Sequence, residues 1–142
     1  MPVLTAAQVK VGEEIPVHHR PNQGFEEWNR YAAVNDEFVN IHMHDEGGRA
    51  AGMASAFGMG NISTAYVHIM LRTWIGVEEG RIVKVGLSFR SPLLRYKDCT
   101  AHGLVKAIRP EGDEVFIDLD VWTQDQDGTK FAIGDATVAI AA

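Results

Sequence analysis

Apolar residues in the first half of the chain recur with the spacing of α-helices. Between Gly60 and Ile75 they lie nearly all round a helix, which predicts a helix that is buried on most sides and ends at Gly76. A shorter helix is predicted over residues 25–34, where apolar side chains share one face and acidic residues occupy the first turn. Residues 44–51 are expected to add a short helical turn.

The second half of the chain changes to the alternating pattern of β-strands. Every second residue is apolar over residues 82–89, 115–122 and 130–140, which predicts strands with one buried face. Turn residues separate these runs near 110–114 and at Asp127–Gly128, a strong hairpin signal. One buried helix followed by about four long antiparallel strands predicts an α+β fold, with an antiparallel sheet wrapped around one buried central helix.

Composition and charge narrow the functional class. The chain has 142 residues, of which 46% are hydrophobic and 23% charged, and no repeat or linker divides it, so residues 1–142 are expected to form one domain. A net charge of −6 argues against a nucleic-acid partner, which normally requires a basic patch. The single cysteine, Cys99, cannot form an internal disulfide. The start lacks the features of a signal peptide and no apolar run reads as a membrane span, so we expect a cytoplasmic protein with no membrane partner.

Polar and titratable residues concentrate in the stretch "VNDEFVNIHMHDE", residues 34–46. An acid followed by His42 indicates acid/base chemistry, because imidazole titrates near neutral pH. His42, His44 and Asp45 together suggest a metal site. On a strand, however, Asp45 would point away from the two histidines, and no second histidine-rich element supplies further ligands. The third interpretation is a polar surface stretch, in which His44, Asp45 and Glu46 face water or begin a short helix.

The longer run "YAAVNDEFVNIHMHDEGGRAAGMASAFGMGN" resembles the motif of the MaoC-like hydratase/dehydratase family. It aligns without a gap. Tyr31 takes the position of the motif's aromatic residue, and His42 takes the position of its catalytic histidine. Gly52 takes the position of the motif's first glycine, and Gly60 corresponds to the glycine of a "His-Gly-Met" turn. The later run "LSFRSPLLRYKDCT" resembles a strand of the same family. The resemblance covers nearly the whole chain and implies the hotdog fold.

Several positions depart from the family motif. The motif's catalytic aspartate falls on Glu37, and the glycine before it falls on Asp36, so either carboxylate could be the acid. Met59 replaces the histidine before Gly60, and His44 replaces a second aspartate. The identity of the acid therefore stays open between two neighbouring residues.

The resemblance implies a hydro-lyase that acts on a 2-enoyl thioester of coenzyme A or of an acyl carrier, without a metal or other cofactor. His42 and an acid, Glu37 or Asp36, would hold a water at the β-carbon, one taking its proton while the other delivers a proton to the α-carbon. The backbone N–H of Gly60, at the head of the buried helix, would stabilise the enolate oxygen. A homodimer or a heteromer of hotdog subunits is also implied.

Four further residues are candidates for substrate binding. Met59 and Asn61 flank Gly60. His68, further along the same helix, could line the acyl pocket or be a core histidine with a satisfied hydrogen bond. Arg90 could meet a phosphate of the carrier or be a solvated residue at a strand end.

Two other functions stay open. The altered motif is compatible with a subunit that has lost its chemistry and shapes the pocket beside a second hotdog chain. Such a subunit would be inactive alone. Hydrolysis of a thioester on the same fold would require a water aimed at the carbonyl carbon rather than at the β-carbon.

Overall fold

A curved antiparallel sheet forms the body of the computed structural model, which describes residues 3–142. The strands are β1 His18–Arg20, β2 Gly80–Phe89, β3 Cys99–Glu111, β4 Glu114–Gln124 and β5 Lys130–Ala141. Along the sheet they follow the order β1-β3-β4-β5-β2, and all neighbouring pairs are antiparallel. The three-residue strand β1 and the ten-residue strand β2 therefore lie at the two edges.

Alternation along β4 decides which face of the sheet is buried. Val115, Ile117, Leu119 and Val121 are each at most 5% exposed, whereas the residues between them, such as Asp118, are half-exposed on the opposite face. The period of two expected for residues 115–122 is thus confirmed, and it directs their apolar side chains to one face of the sheet. The prediction is wrong for parts of the other two runs: Val83 and Phe89 are exposed, beside a register shift between Ile82 and Lys84, and residues 136–140 are all buried.

Both predicted hairpin turns are confirmed. The turn between β3 and β4 contains Gly112 with φ of +64°, and the turn between β4 and β5 contains Gly128 with φ of +86°. In the second turn, the Asp125 carboxylate accepts the N–H groups of Asp127 at 2.9 Å and of Thr129 at 2.8 Å. These turns set the register that keeps the apolar positions of neighbouring strands on the same face.

The central helix lies against the concave face of the sheet. It spans Gly60–Ile75, as predicted, and we label it α4. It ends at Gly76, whose φ is +86° and whose N–H donates to Arg72 O at 2.9 Å. Its buried residues are Ile62, Ser63, Tyr66, Val67, Met70, Leu71 and Ile75. No helix within residues 3–142 is long and apolar enough to cross a membrane.

Three short helices, numbered α1 to α3, cover the approach to the central helix. They are α1 Phe25–Asn35, α2 Asn40–Met43 and α3 Asp45–Ala50. The first and third were predicted, and α1 is anchored by the fully buried Trp28 and Ala32. The second was not predicted, because a single helical turn is too short to show a period. The contact of His42 with Phe57 links the polar stretch 34–46 to the segment that leads into α4.

Candidate functional site

His42 is buried although it lies in the most polar stretch of the chain. It sits on α2 with 7% of its surface exposed, and its Nδ1 lies 2.7 Å from the carbonyl oxygen of Phe57. A carbonyl oxygen only accepts hydrogen bonds, so Nδ1 carries a proton and donates it to this bond. The Phe57 ring packs edge-on against the imidazole, with 5.2 Å between ring centroids. Nε2 is therefore the ring nitrogen of His42 that is left for proton exchange with another group.

The Phe57 carbonyl is held in place by the backbone on both sides. The N–H of Phe57 donates to Ile41 O at 3.2 Å, directly before His42 in the chain. The N–H of Gly58 donates to Leu93 O at 2.8 Å, on the segment that follows β2. These bonds couple the orientation of the His42 ring to the backbone that leads into α4.

The helix α4 begins at Gly60, in the wall of a cleft. Backbone N–H groups in its first turn lack intrahelical acceptors and carry the positive end of the helix dipole. We call this depression the glycine cleft. Its volume is about 310 Å³ and its lining includes Phe57, Met59, Gly60, Phe89 and Arg90. The structure therefore brings three predicted site residues together with the backbone partner of the catalytic candidate.

A second depression, the helix groove, lies between α1 and α4 and has a volume of about 490 Å³. Its lining includes Tyr31, Asn61 and His68. The exposed His68 lies with Nδ1 2.9 Å from Thr64 O, so Nδ1 donates and Nε2 can accept. Asn61 and His68 thus face the groove, whereas Gly60 lines the glycine cleft.

The two candidate acids differ in their surroundings. Asp36 is exposed at the end of α1, in the left-handed region with φ of +52°. Glu37 is half-buried, and its N–H donates to Ala32 O at 3.0 Å. Burial raises the pKa of the Tyr31 phenol, and the negative charge of the nearby Glu37 carboxylate raises it further. Glu37 therefore lies close to a residue that lines the helix groove.

Asp45 departs from the expectation that it faces water. It begins α3, as predicted, but its Oδ1 accepts the N–H of Ala56 at 3.1 Å, and Arg95 contacts both carboxylate oxygens at 2.8 and 3.0 Å. The hydrogen bonds from Arg95, and then the one from Ala56, hold the pKa of Asp45 below its ordinary value. His44 and Glu46 are exposed, as expected.

Comparison with protein-family models finds no match, and comparison with curated protein sequences finds none either. Solved structures do match. An (R)-hydratase from A. caviae involved in PHA biosynthesis has a TM-score of 0.81 at 20% identity, covering 94% of this chain and 98% of that one. A MaoC-like dehydratase from Rhodospirillum rubrum has a TM-score of 0.81 at 18% identity, covering 97% of each chain. A chain of the ChsH1–ChsH2 complex from Mycobacterium tuberculosis has a TM-score of 0.80 at 19% identity, covering 94% and 99%. The chain has the hotdog fold of the MaoC-like proteins.

Two contacts of this hotdog site were not predicted from the sequence. Arg95 pairs with Asp45 across 50 residues of chain, and the ring of Phe89 lies against Gly60. Both depend on packing between distant segments, so no spacing within a short window signals them.

The three side chains that suggested a metal site in the polar stretch lie in different surroundings. Among residues 3–142, no group of three or more His, Cys, Asp or Glu side chains is arranged to hold a metal ion. His42 is turned toward Phe57, His44 is exposed, and Asp45 is engaged by Arg95. Each of the three side chains therefore has a separate environment.

Proposed function

We propose that this hotdog chain hydrates 2-enoyl thioesters or dehydrates the corresponding 3-hydroxyacyl thioesters. The observation that carries the proposal is the linkage of a buried His42, with Nδ1 bonded to Phe57 O, to the start of α4 at Gly60. A base that is hydrogen-bonded to the short segment leading to the oxyanion donor suits this chemistry. Structural neighbours named as an (R)-hydratase and a MaoC-like dehydratase support the reaction class.

In the proposed hydration, His42 Nε2 takes a proton from a water whose oxygen adds to the β-carbon. The acid delivers a proton to the α-carbon. The Gly60 N–H and the positive end of α4 receive the negative charge that develops on the thioester oxygen. Loss of such a donor typically costs about 3–4 kcal/mol of activation free energy. Dehydration follows the same steps in reverse.

We assign the acid to Glu37 rather than Asp36. Glu37 is half-buried and lies near Tyr31 at the helix groove, whereas Asp36 is exposed at the end of α1. Glu37 does not itself line either depression, but its carboxylate lies beside the Tyr31 phenol, which lines the helix groove. Glu37→Gln should therefore lower turnover far more than Asp36→Asn.

One basic residue supports a carrier that bears phosphates, such as coenzyme A. Arg90 lines the glycine cleft. Unlike Arg81, which pairs with Glu114, Arg90 has no ion-pair partner within residues 3–142. Its charge is available to an anionic ligand despite the acidic net charge of the protein.

A second hotdog chain is the proposed partner. The edge strand β2 exposes Val83 and Phe89, at 42% and 55% of their surfaces, beside unpaired backbone groups. Such an edge can pair with a strand of another chain. The partner is a second copy or a different hotdog subunit, and a structural neighbour is described as a complex of two different chains.

The test is the turnover of a 2-enoyl thioester, followed by loss of enoyl absorbance. His42→Ala should abolish it, while His44→Ala, at an exposed position two residues away, should leave it intact. Retained turnover in His42→Ala would contradict the assignment. Release of free thiol without loss of the enoyl group would indicate a thioesterase. Activity that arises only after addition of a second hotdog chain would indicate the catalytically impaired subunit.

A further inference from the structure

Hydrogen bonds from separate elements hold the segment that carries the Phe57 carbonyl. The N–H of Ala56 donates to Asp45 Oδ1 at 3.1 Å, on α3. The N–H of Gly58 donates to Leu93 O at 2.8 Å, beyond β2. The residue between them, Phe57, is the one whose carbonyl accepts the His42 proton. Its position is therefore decided by what holds its two neighbours.

Arg95 joins these two anchors. Its Nη1 lies 2.8 Å from Asp45 Oδ1 and its Nη2 lies 3.0 Å from Asp45 Oδ2, a two-point contact. The contacts form a closed ring. Asp45 is hydrogen-bonded to Ala56, and Gly58, two residues further along, is hydrogen-bonded to Leu93. Arg95 follows Leu93 by two residues and closes the ring by contacting Asp45.

The Arg95–Asp45 contact is shielded enough to hold a single geometry. Only 23% of the Arg95 side chain and 29% of the Asp45 side chain are exposed. The guanidinium also lies over the ring of Phe25, 4.7 Å from its centroid. Two-point charged hydrogen bonds of this kind restrict both partners more strongly than a single contact does.

We propose that Asp45 and Arg95 are positioning residues for His42. By closing the ring around Phe57, they hold its carbonyl where it accepts the Nδ1 proton, and this keeps Nε2 as the basic nitrogen. The kinetic consequence rests on the proposed hydratase function. The consequence for the His42 ring does not, because its protonation pattern can be observed without substrate.

The experiment compares Asp45→Ala, Asp45→Asn and Arg95→Lys with the wild-type protein. Asparagine keeps an oxygen for the Ala56 N–H, and lysine keeps the charge without the two-point contact. The matched control is Asp118→Ala, which removes a carboxylate that Arg109 contacts at 2.7 and 3.1 Å on the outer face of the sheet.

The first readout is the ¹⁵N spectrum of the His42 ring, which distinguishes the Nδ1–H from the Nε2–H form. Asp45→Ala should convert a measurable fraction of the ring to Nε2–H, and the control should not. The second readout is turnover. We expect kcat to fall about 10- to 100-fold in Asp45→Ala with KM little changed, since a displaced catalytic group lowers rate more than binding. Asp45→Asn and Arg95→Lys should lie between that variant and the wild type.

A wild-type ring spectrum in Asp45→Ala would overturn the proposal, even if the variant were less stable. If Asp45→Ala does not fold, the same comparison is made on Asp45→Asn and Arg95→Lys, and wild-type spectra in both would overturn it. If the wild-type protein turns over no enoyl thioester, the proposed function fails, and the ring spectra alone decide this inference.

Discussion

Replacing Gly60 with alanine perturbs the start of α4 by one methyl group. The added carbon would lie 3.0–3.1 Å from three ring carbons of Phe89, well inside ordinary van der Waals contact. Overpacking typically costs about 1–3 kcal/mol of the free energy of unfolding. Because 55% of the Phe89 surface is exposed, its ring can turn toward solvent. We therefore expect a loss near the lower end, about 1 kcal/mol.

The effect on turnover should exceed the effect on stability. Alanine keeps the backbone N–H of residue 60, so a loss of activity reports a displaced N–H or an obstructed glycine cleft. A completely lost oxyanion donor costs about 3–4 kcal/mol of barrier. A donor shifted by a fraction of an ångström should cost less, so we expect kcat to fall about 10- to 100-fold.

A double variant tests whether contact with the Phe89 ring causes the loss of stability in Gly60→Ala. Gly60→Ala combined with Phe89→Ala removes the opposing ring, and it should recover most of the stability lost in Gly60→Ala relative to Phe89→Ala alone. Gly86→Ala is the matched control, because a Cβ at Gly86 would meet no atom within 4 Å. Urea unfolding measures the free energies, and loss of enoyl absorbance measures kcat.

Two results would refute this reasoning. If Gly60→Ala is as destabilising in the Phe89→Ala background as in the wild type, the ring is not the source of the strain. If Gly60→Ala turns over substrate at the wild-type rate, the added methyl group neither displaces the N–H of residue 60 nor obstructs the glycine cleft, and the expected fall in kcat is wrong.

Three further predictions concern stability and reactivity. Tyr96 is 75% exposed and has φ of +68°, so Tyr96→Gly should relieve backbone strain and raise the free energy of unfolding by about 0.5–1 kcal/mol. Asn22→Gly, at φ of +52°, should change it less because asparagine tolerates this region. Equal effects in urea melts would contradict the argument. Burial raises the pKa of the Cys99 thiol to about 12, so it should react with thiol reagents only after unfolding, and rapid reaction of the native protein would refute its burial. The depressed pKa of Asp45, caused first by Arg95, stabilises the fold at neutral pH and is lost as the pH falls below about 4, so Asp45→Asn should flatten the acid side of the stability profile.

The elements of the fold were predictable because their signals are local. The helix Gly60–Ile75 and the strands after it are set by apolar residues with periods of 3.6 and 2, which can be counted along the chain. The helix end at Gly76 and the turn at Gly128 follow from backbone angles that glycine adopts readily. The short helix Asn40–Met43 was missed because a single turn shows no period.

The site was predictable in its residue types but not in its contacts. Family resemblance singled out His42 and Gly60, but no feature of the sequence indicates which nitrogen of His42 donates a hydrogen bond. The bond to Phe57, 15 residues away, decided that. Asp45 was expected to face water, but Arg95 reaches it from a segment 50 residues further along.

By itself, the sequence determined the helix, the strands, the turns and the acidic, single-cysteine character of this protein. Each of these depends on neighbours within a few residues. Only the tertiary structure decided that Asp45 closes a ring around Phe57, that Phe89 lies against Gly60, and that Asn61 faces a different depression from Gly60. These contacts join segments far apart in the chain, and they exist only once burial of the apolar faces has packed the sheet onto α4.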